Sequence, residues 1–257
     1  MMAAQTPRPA ATLALIRQGG AGPEVLMLQR AHSAAFLGGA YVFPGGSLDP
    51  QDSDARIASR ALGITDAEAS ERLGLPSGGL AYYVAAIREC FEEAGVLLAG
   101  DKGGAIIPAD RAAALMDRRH QPFIDLLEAE NLFLPASSLA YYGHWITAPG
   151  RTRRFDTRFF VALAPDGQSG AHDAAETVHD IWIRPQEALE RGDRGEIELV
   201  FATRHTLKDL SRFADRLEAF VYASGLPEIE TNRACQALGR EGPKIFRRAD
   251  PPYFEIH

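Results

Sequence analysis

The run Arg88-Glu89-Cys90-Phe91-Glu92-Glu93-Ala94-Gly95-Val96 places three carboxylates at positions i, i+3 and i+4. On an α-helix those positions share one face. Three anions at that spacing repel one another unless a cation sits among them. Hard oxygen ligands converging on one point suit Mg2+ or Mn2+. Val84, Ala85, Ile87 and Phe91 give the same segment an apolar side to bury. The pattern predicts a helix over 80–94, ended by Gly95, because glycine adopts the left-handed conformation that closes a helix. A bare E-x-x-E-E also fits a solvated acidic face. Two neighbours favour the metal reading: Arg88 directly precedes the cluster, and the turn Phe43-Pro44-Gly45-Gly46 precedes the helix.

These residues resemble the Nudix hydrolase family, whose box reads G-x5-E-x7-R-E-U-x-E-E-x-G-U, with U a bulky apolar residue. Arg88 to Val96 match its second half, with Cys90 at the first U, and Gly46 matches the opening glycine. An uninterrupted box would put its arginine at residue 60. The arginine stands at 88, so 28 residues are inserted, over about 50–78. Counted back eight from Arg88, the first glutamate of the box falls on Leu80 and is read as absent. The resemblance implies an α/β fold: an α/β/α sandwich with a mixed sheet, a helical insertion in the box and a C-terminal helix. It implies one domain over 1–257, with that helix and a tail at about 203–257.

The resemblance also implies metal-dependent hydrolysis of a pyrophosphate bond in a nucleoside diphosphate derivative. Glu89, Glu92 and Glu93 would hold Mg2+ or Mn2+, and Arg88 would pair with a glutamate of the triad. The interrupted box is similar to that of CoA diphosphatases associated with peroxisomes, so the preferred substrate would be CoA or an acyl-CoA. An ADP-ribose- or NADH-type pyrophosphatase is the enzyme alternative, and a non-catalytic nucleotide-binding module is the other. In several Nudix enzymes a loop glutamate outside the box serves as a metal ligand or general base. Glu176, in the polar loop His172 to Thr177, is similar in position. The base is therefore a triad glutamate or Glu176.

Composition narrows the partners. A net charge of −7 argues against a nucleic-acid scaffold, which would show a basic face. No apolar run approaches a membrane span and no secretory signal is read. With only Cys90 and Cys235, no disulfide framework is implied. A cytoplasmic protein with a small nucleotide-type substrate is expected. Cations for that substrate would have to be local. Arg30, at a strand end, and the cluster Arg151, Arg153 and Arg154 are candidate phosphate contacts, because a guanidinium forks onto phosphate oxygens. Surface charge is the plainer reading of each. Gly45 and Gly46 let backbone approach the helix.

Elsewhere the pattern predicts a hairpin from Thr12–Arg17 and Val25–Arg30 around a longer loop at Gly19–Pro23. The insertion reads as short helices at 51–60 and 65–73, the second opened by a Thr65/Glu68 capping box. It is a substrate-shaping cap or a peripheral elaboration. Strands are predicted at 96–99, 139–147, 155–163 and 180–184. His144 reads as a half-buried strand residue. One long amphipathic helix is predicted over 203–223, packing on the core or forming a homodimer contact.

Overall fold

The computed structural model describes residues 5–32, 38–149, 153–173, 177–239, 242–247 and 254–255. Arg8–Gly19 (β1) and Gly22–Arg30 (β2) pair antiparallel, with Gly19 opposite Gly22. The connection is thus a two-residue turn, tighter than the loop expected, because Gly22 takes φ +127° and Pro23 joins the strand. Two short strands follow, Ala40–Val42 (β3) and Gly45–Ser47 (β4), and β4 pairs with the N-terminal half of β1.

The insertion holds a 3-10 turn at Pro50–Ser53 and two helices, Ala55–Ala58 (α1) and Asp66–Leu73 (α2). The Thr65/Glu68 capping box is present at the start of α2, and Gly74 closes it at φ +64°. Leu80–Ala94 (α3) is the expected long helix, ended by Gly95 at φ +66°. Its first turn has no cap of its own. The insertion supplies one: the Asp66 carboxylate accepts from the Leu80 and Gly78 amides at 3.0 Å each, and Ser70 Oγ accepts from Gly79 at 2.9 Å. These bonds satisfy amides that a helix start otherwise leaves without partners.

Residues 96–99 are buried but form no strand. The side chain of Gln168 replaces a sheet neighbour there. Its Oε1 accepts from the Leu97 amide at 2.9 Å and its Nε2 donates to the Leu97 carbonyl at 3.3 Å. A short apolar run cannot announce that substitution. Helices Ala109–Ala114 (α4) and Phe123–Ala129 (α5) lead to strands Ala140–Ile146 (β5), Phe155–Leu163 (β6) and Thr177–Ile183 (β7). Then come Pro185–Asp193 (α6) and the short strand Glu198–Leu199 (β8).

The single C-terminal helix expected over 203–223 is instead two, Phe201–Leu210 (α7) and Arg216–Ser224 (α8). Asp215 starts the second, its carboxylate accepting from the Leu217 and Glu218 amides. The break changes the helical phase. Leu217 and Val221, placed on the buried stripe by a continuous helix, are 53% and 68% exposed. Strands Thr231–Gly239 (β9), Gly242–Arg247 (β10) and Phe254–Glu255 (β11) follow.

The sheet runs β11-β10-β9-β5-β6-β1-β2-β3-β8, with β4 on β1 and β7 on β2. It is mixed: β1 and β6 are parallel, β5 and β6 antiparallel. Alternation along β1 sorts the two layers, since successive side chains leave opposite faces of a strand. Ala11, Leu13 and Leu15 meet α3 with Phe160 and Ala162. Ala14 and Ile16 meet the other core, with Leu189 of α6, Leu207 of α7 and Ala219 of α8. The outcome is the α/β/α arrangement. Among the described residues no helix is long and apolar enough to cross a membrane.

Candidate active site

The carboxylates of α3 meet β4 at its glycines. The Gly45 amide donates to Glu93 Oε2 at 3.0 Å. Glu89 lies against Gly46 so closely that a Cβ there would stand 2.5 Å from its Oε1. We expect Gly46→Ala to displace the Glu89 carboxylate and lower turnover about tenfold, with little change in melting temperature. Equal turnover in wild type and Gly46→Ala would mean that Glu89 is free to move.

Arg88 anchors this cluster, pairing with triad glutamates as the resemblance implies. Its Nη1 donates to Glu89 Oε1 and Glu92 Oε2, both at 2.8 Å. Its Nε and Nη2 fork onto Asp52 at 2.8 and 3.0 Å, and Nη2 also donates to the Ser47 carbonyl. Burial disfavours the charge of Arg88. Asp52, Glu89 and Glu92 together outweigh that cost and hold its pKa above the ordinary value.

Asp52 corrects the expectation drawn from Leu80. Counted forward from Gly46, the acidic position of G-x5-E is residue 52, which is an aspartate. The interruption therefore follows the first acid, and the box retains a carboxylate there. Leu80 is a buried core residue. The spacing could have shown this, had it been read forward from the glycine as well as back from the arginine.

The three glutamates do not converge on one point. Glu89 and Glu93 line a cavity of about 680 Å³; Glu92 is drawn aside by Arg88 and does not line it. Among the described residues no three carboxylates, imidazoles or thiols form a closed metal cage. Burial, reinforced by Glu92 against the pull of Arg88, pushes Glu89 up to about 7. Burial also raises Glu92. Between pH 4.5 and about 7 the unfolded chain releases the Glu89 proton while the folded chain keeps it, so stability falls as pH rises through that window. Denaturant titrations of metal-free wild type and Glu89→Gln should diverge in slope there. Parallel curves would refute the assignment.

The donor set fits a divalent cation. Two hard carboxylates at a partly enclosed site, Glu89 and Glu93, match an ion that keeps several waters and takes one or two protein carboxylates plus substrate phosphates.

Away from the carboxylates, the cavity crosses the sheet face opposite the main body of α3. Thr12 and Thr157 floor it, and Trp145, Phe155, Phe159 and Phe201 wall it. Trp145 and Phe201 meet edge to face, with ring centroids 5.3 Å apart. These aromatics were not singled out from sequence. The alternation Phe155, Thr157, Phe159 along β6 was the available signal. Arg30 and Arg153 line the same cavity. Arg154 does not; it donates to the carbonyls of Thr147 and Gln5. His144 is buried in an ion cluster with Asp156 and Arg158 and also meets Thr231. Arg151 and Glu176 lie outside the described residues. The helices of the insertion, which could have shaped the substrate site, do not line the cavity and instead cap α3.

The sequence model of the NUDT19 Nudix domain matches residues 57–210. The acyl-coenzyme A diphosphatase NUDT19 of Homo sapiens is 30% identical over 89% of this chain and 69% of its own. The Gallus gallus protein of the same name is 28% identical over 88% of this chain and 69% of its own. The chain is a Nudix hydrolase. The crystal structure of a Nudix hydrolase from Alicyclobacillus acidocaldarius agrees in fold. It has a TM-score of 0.69 and 30% identity, and the match covers 84% of this chain and 96% of that one. As a Nudix hydrolase the chain is an enzyme acting on phosphorus-containing acid anhydrides, and divalent metals are general in the family. The interrupted box does not remove it from the family, because Asp52 and Arg88 meet across the interruption.

Proposed function

We propose that this Nudix hydrolase is a metal-dependent diphosphatase of CoA or acyl-CoA, releasing a phosphopantetheine product and an adenosine bisphosphate. The observation that carries the reading is one continuous cavity with carboxylates and a glycine turn at one end and aromatic walls at the other. A diphosphate joined to a nucleoside on one side and a long, weakly polar arm on the other needs both environments. Similarity to proteins named acyl-coenzyme A diphosphatase supports the same choice. The non-catalytic alternative rested on a lost box acid, and Asp52 occupies that position.

Glu89 and Glu93 would hold the cation, which when bound neutralises the diphosphate and lowers the pKa of a coordinated water. Arg88 fixes the rotamers of Glu89 and Glu92 through its Nη1 bonds. The Gly45 amide does the same for Glu93 through Oε2. The proton of the attacking water passes to a carboxylate at this end of the cavity. Arg30 and Arg153 bind substrate phosphate oxygens, and the aromatic walls exclude water from the opposite end.

The test is cleavage of CoA, acetyl-CoA, ADP-ribose, NADH and a dinucleoside polyphosphate with Mg2+, with Mn2+ and with chelator, products identified by mass. CoA forms should lead and chelator should abolish turnover. A lead by ADP-ribose or NADH would overturn the substrate. Full activity in chelator would overturn the metal requirement. Binding without cleavage of any compound would return the non-catalytic reading.

A further inference from the structure

A second cavity, of about 660 Å³, lies away from the carboxylates. It opens at the C-terminal end of β6, where Leu163 and, just past the strand, Asp166 line it. The substrate cavity uses Phe155, Thr157 and Phe159 at the other end of the same strand. At about 3.3 Å per residue, Phe155 and Leu163 stand roughly 26 Å apart along it. No residue lines both cavities.

The walls are apolar and come from distant parts of the chain. Leu98, Ile106 and Ile107 belong to the stretch between α3 and α4, and Phe220 belongs to α8. Leu98, Ile107 and Ala164 are part of the core beneath α3, and Phe220 packs against the other core. Both layers therefore hold the walls in place. Polar groups are few. Ser138 Oγ is engaged, donating to the Pro135 carbonyl at 2.7 Å. Among the described residues that line the cavity, Arg216 is the one cation and Asp166 the one anion. The two meet at the rim, with Arg216 Nη1 3.5 Å from Asp166 Oδ1. The Asp166 side chain is 93% exposed, so the pair contributes little and gives way readily to another carboxylate. Phe220 follows Arg216 by one helical turn, which puts the cation and an apolar wall on one side of α8. Apolar walls with a few placed polar groups, at this volume, are what small-ligand sites share.

We infer that this cavity binds an unbranched aliphatic carboxylate, its chain between Ile106, Leu163 and Phe220 and its head on Arg216. A guanidinium forks onto a carboxylate with two parallel bonds. An aliphatic chain asks for no hydrogen bonds, and these walls offer none. A nucleotide would bring a base and a sugar whose polar groups would go unmet there. A cationic head would be repelled by Arg216. The site does not depend on the reaction assigned above, because it shares no residue with the substrate cavity.

Titration calorimetry of the full chain with decanoate and with decan-1-ol isolates the head group at equal chain length. Wild type should bind decanoate saturably at one site, about tenfold more tightly than the alcohol. Arg216→Gln should level the two ligands, and Arg216→Lys should keep part of the margin. Ile106→Trp, which fills the cavity from a half-buried wall position, should lose both. Nucleotide cleavage should be unchanged in all three variants, which also reports that they fold. Four results would each overturn the inference. They are no saturable decanoate binding, equal binding of the alcohol by wild type, an intact margin in Arg216→Gln, and displacement of decanoate by CoA, which would put the ligand in the substrate cavity.

Discussion

Glu93→Gln should lower kcat on the preferred substrate by about a hundredfold or more, roughly 2.7 kcal/mol of barrier, and leave the melting temperature nearly unchanged. Glu93 lines the cavity, and one oxygen is held by the Gly45 amide at 3.0 Å. An amide side chain can keep that contact through its carbonyl oxygen. It cannot supply the negative charge that a divalent cation needs. Glu92→Gln should cost less, about tenfold, because Glu92 faces Arg88 and not the cavity. The ranking separates two accounts of the cluster. If all three glutamates hold the ion equally, the two variants should be equally poor. If Arg88 withholds Glu92 in the working enzyme as it does in this structure, Glu93→Gln is the poorer by an order of magnitude. Steady-state kinetics over a range of Mg2+ concentrations checks both. A wild-type rate for Glu93→Gln at saturating metal would remove that residue from the metal site.

What the sequence disclosed depended on whether the signal was local. Helix α3 was legible end to end because periodicity, an apolar face and a terminal glycine all lie within it. Strand β6 was legible for the same reason, and its bounds match the pattern. The run 96–99 was not, because a side chain 71 positions away completes its backbone bonds. The C-terminal segment carried a helical stripe across a break that Asp215 enforces by capping, a signal weaker than six apolar residues in phase. At the site, the glycine turn, Arg88, Glu89 and Glu93 were visible as a motif. The aromatic walls were not, since they come from β5, β6 and α7 and meet only in the folded sheet. Arg153 and Arg154 are indistinguishable in sequence. One lines the cavity and the other ties down the carbonyls of Thr147 and Gln5.

The opposite profile is expected for Asp52→Ala, in which stability fails first. The Asp52 side chain has no exposed area and that of Arg88 only 5%. Their fork closes the 28-residue interruption between the first acid of the box and its arginine. Arg88 keeps Glu89, Glu92 and the Ser47 carbonyl in this variant but loses both bonds of the buried fork, at about 3 kcal/mol. Melting should fall by about 10 °C for a chain of this size. Asp52→Asn keeps the shape and one acceptor and should lose about half as much. A paired Asp52→Leu, Arg88→Met variant provides the decisive contrast. It removes both charges of the fork together, so part of the lost stability should return. Turnover should stay low, because Glu89 and Glu92 have lost the guanidinium that orients them. Stability and activity would then separate in one protein, which a purely structural role for the pair does not allow. If the paired variant regains turnover along with its melting temperature, Arg88 serves only to close the interruption. The carboxylates would then be placed by α3 and the β4 glycines alone.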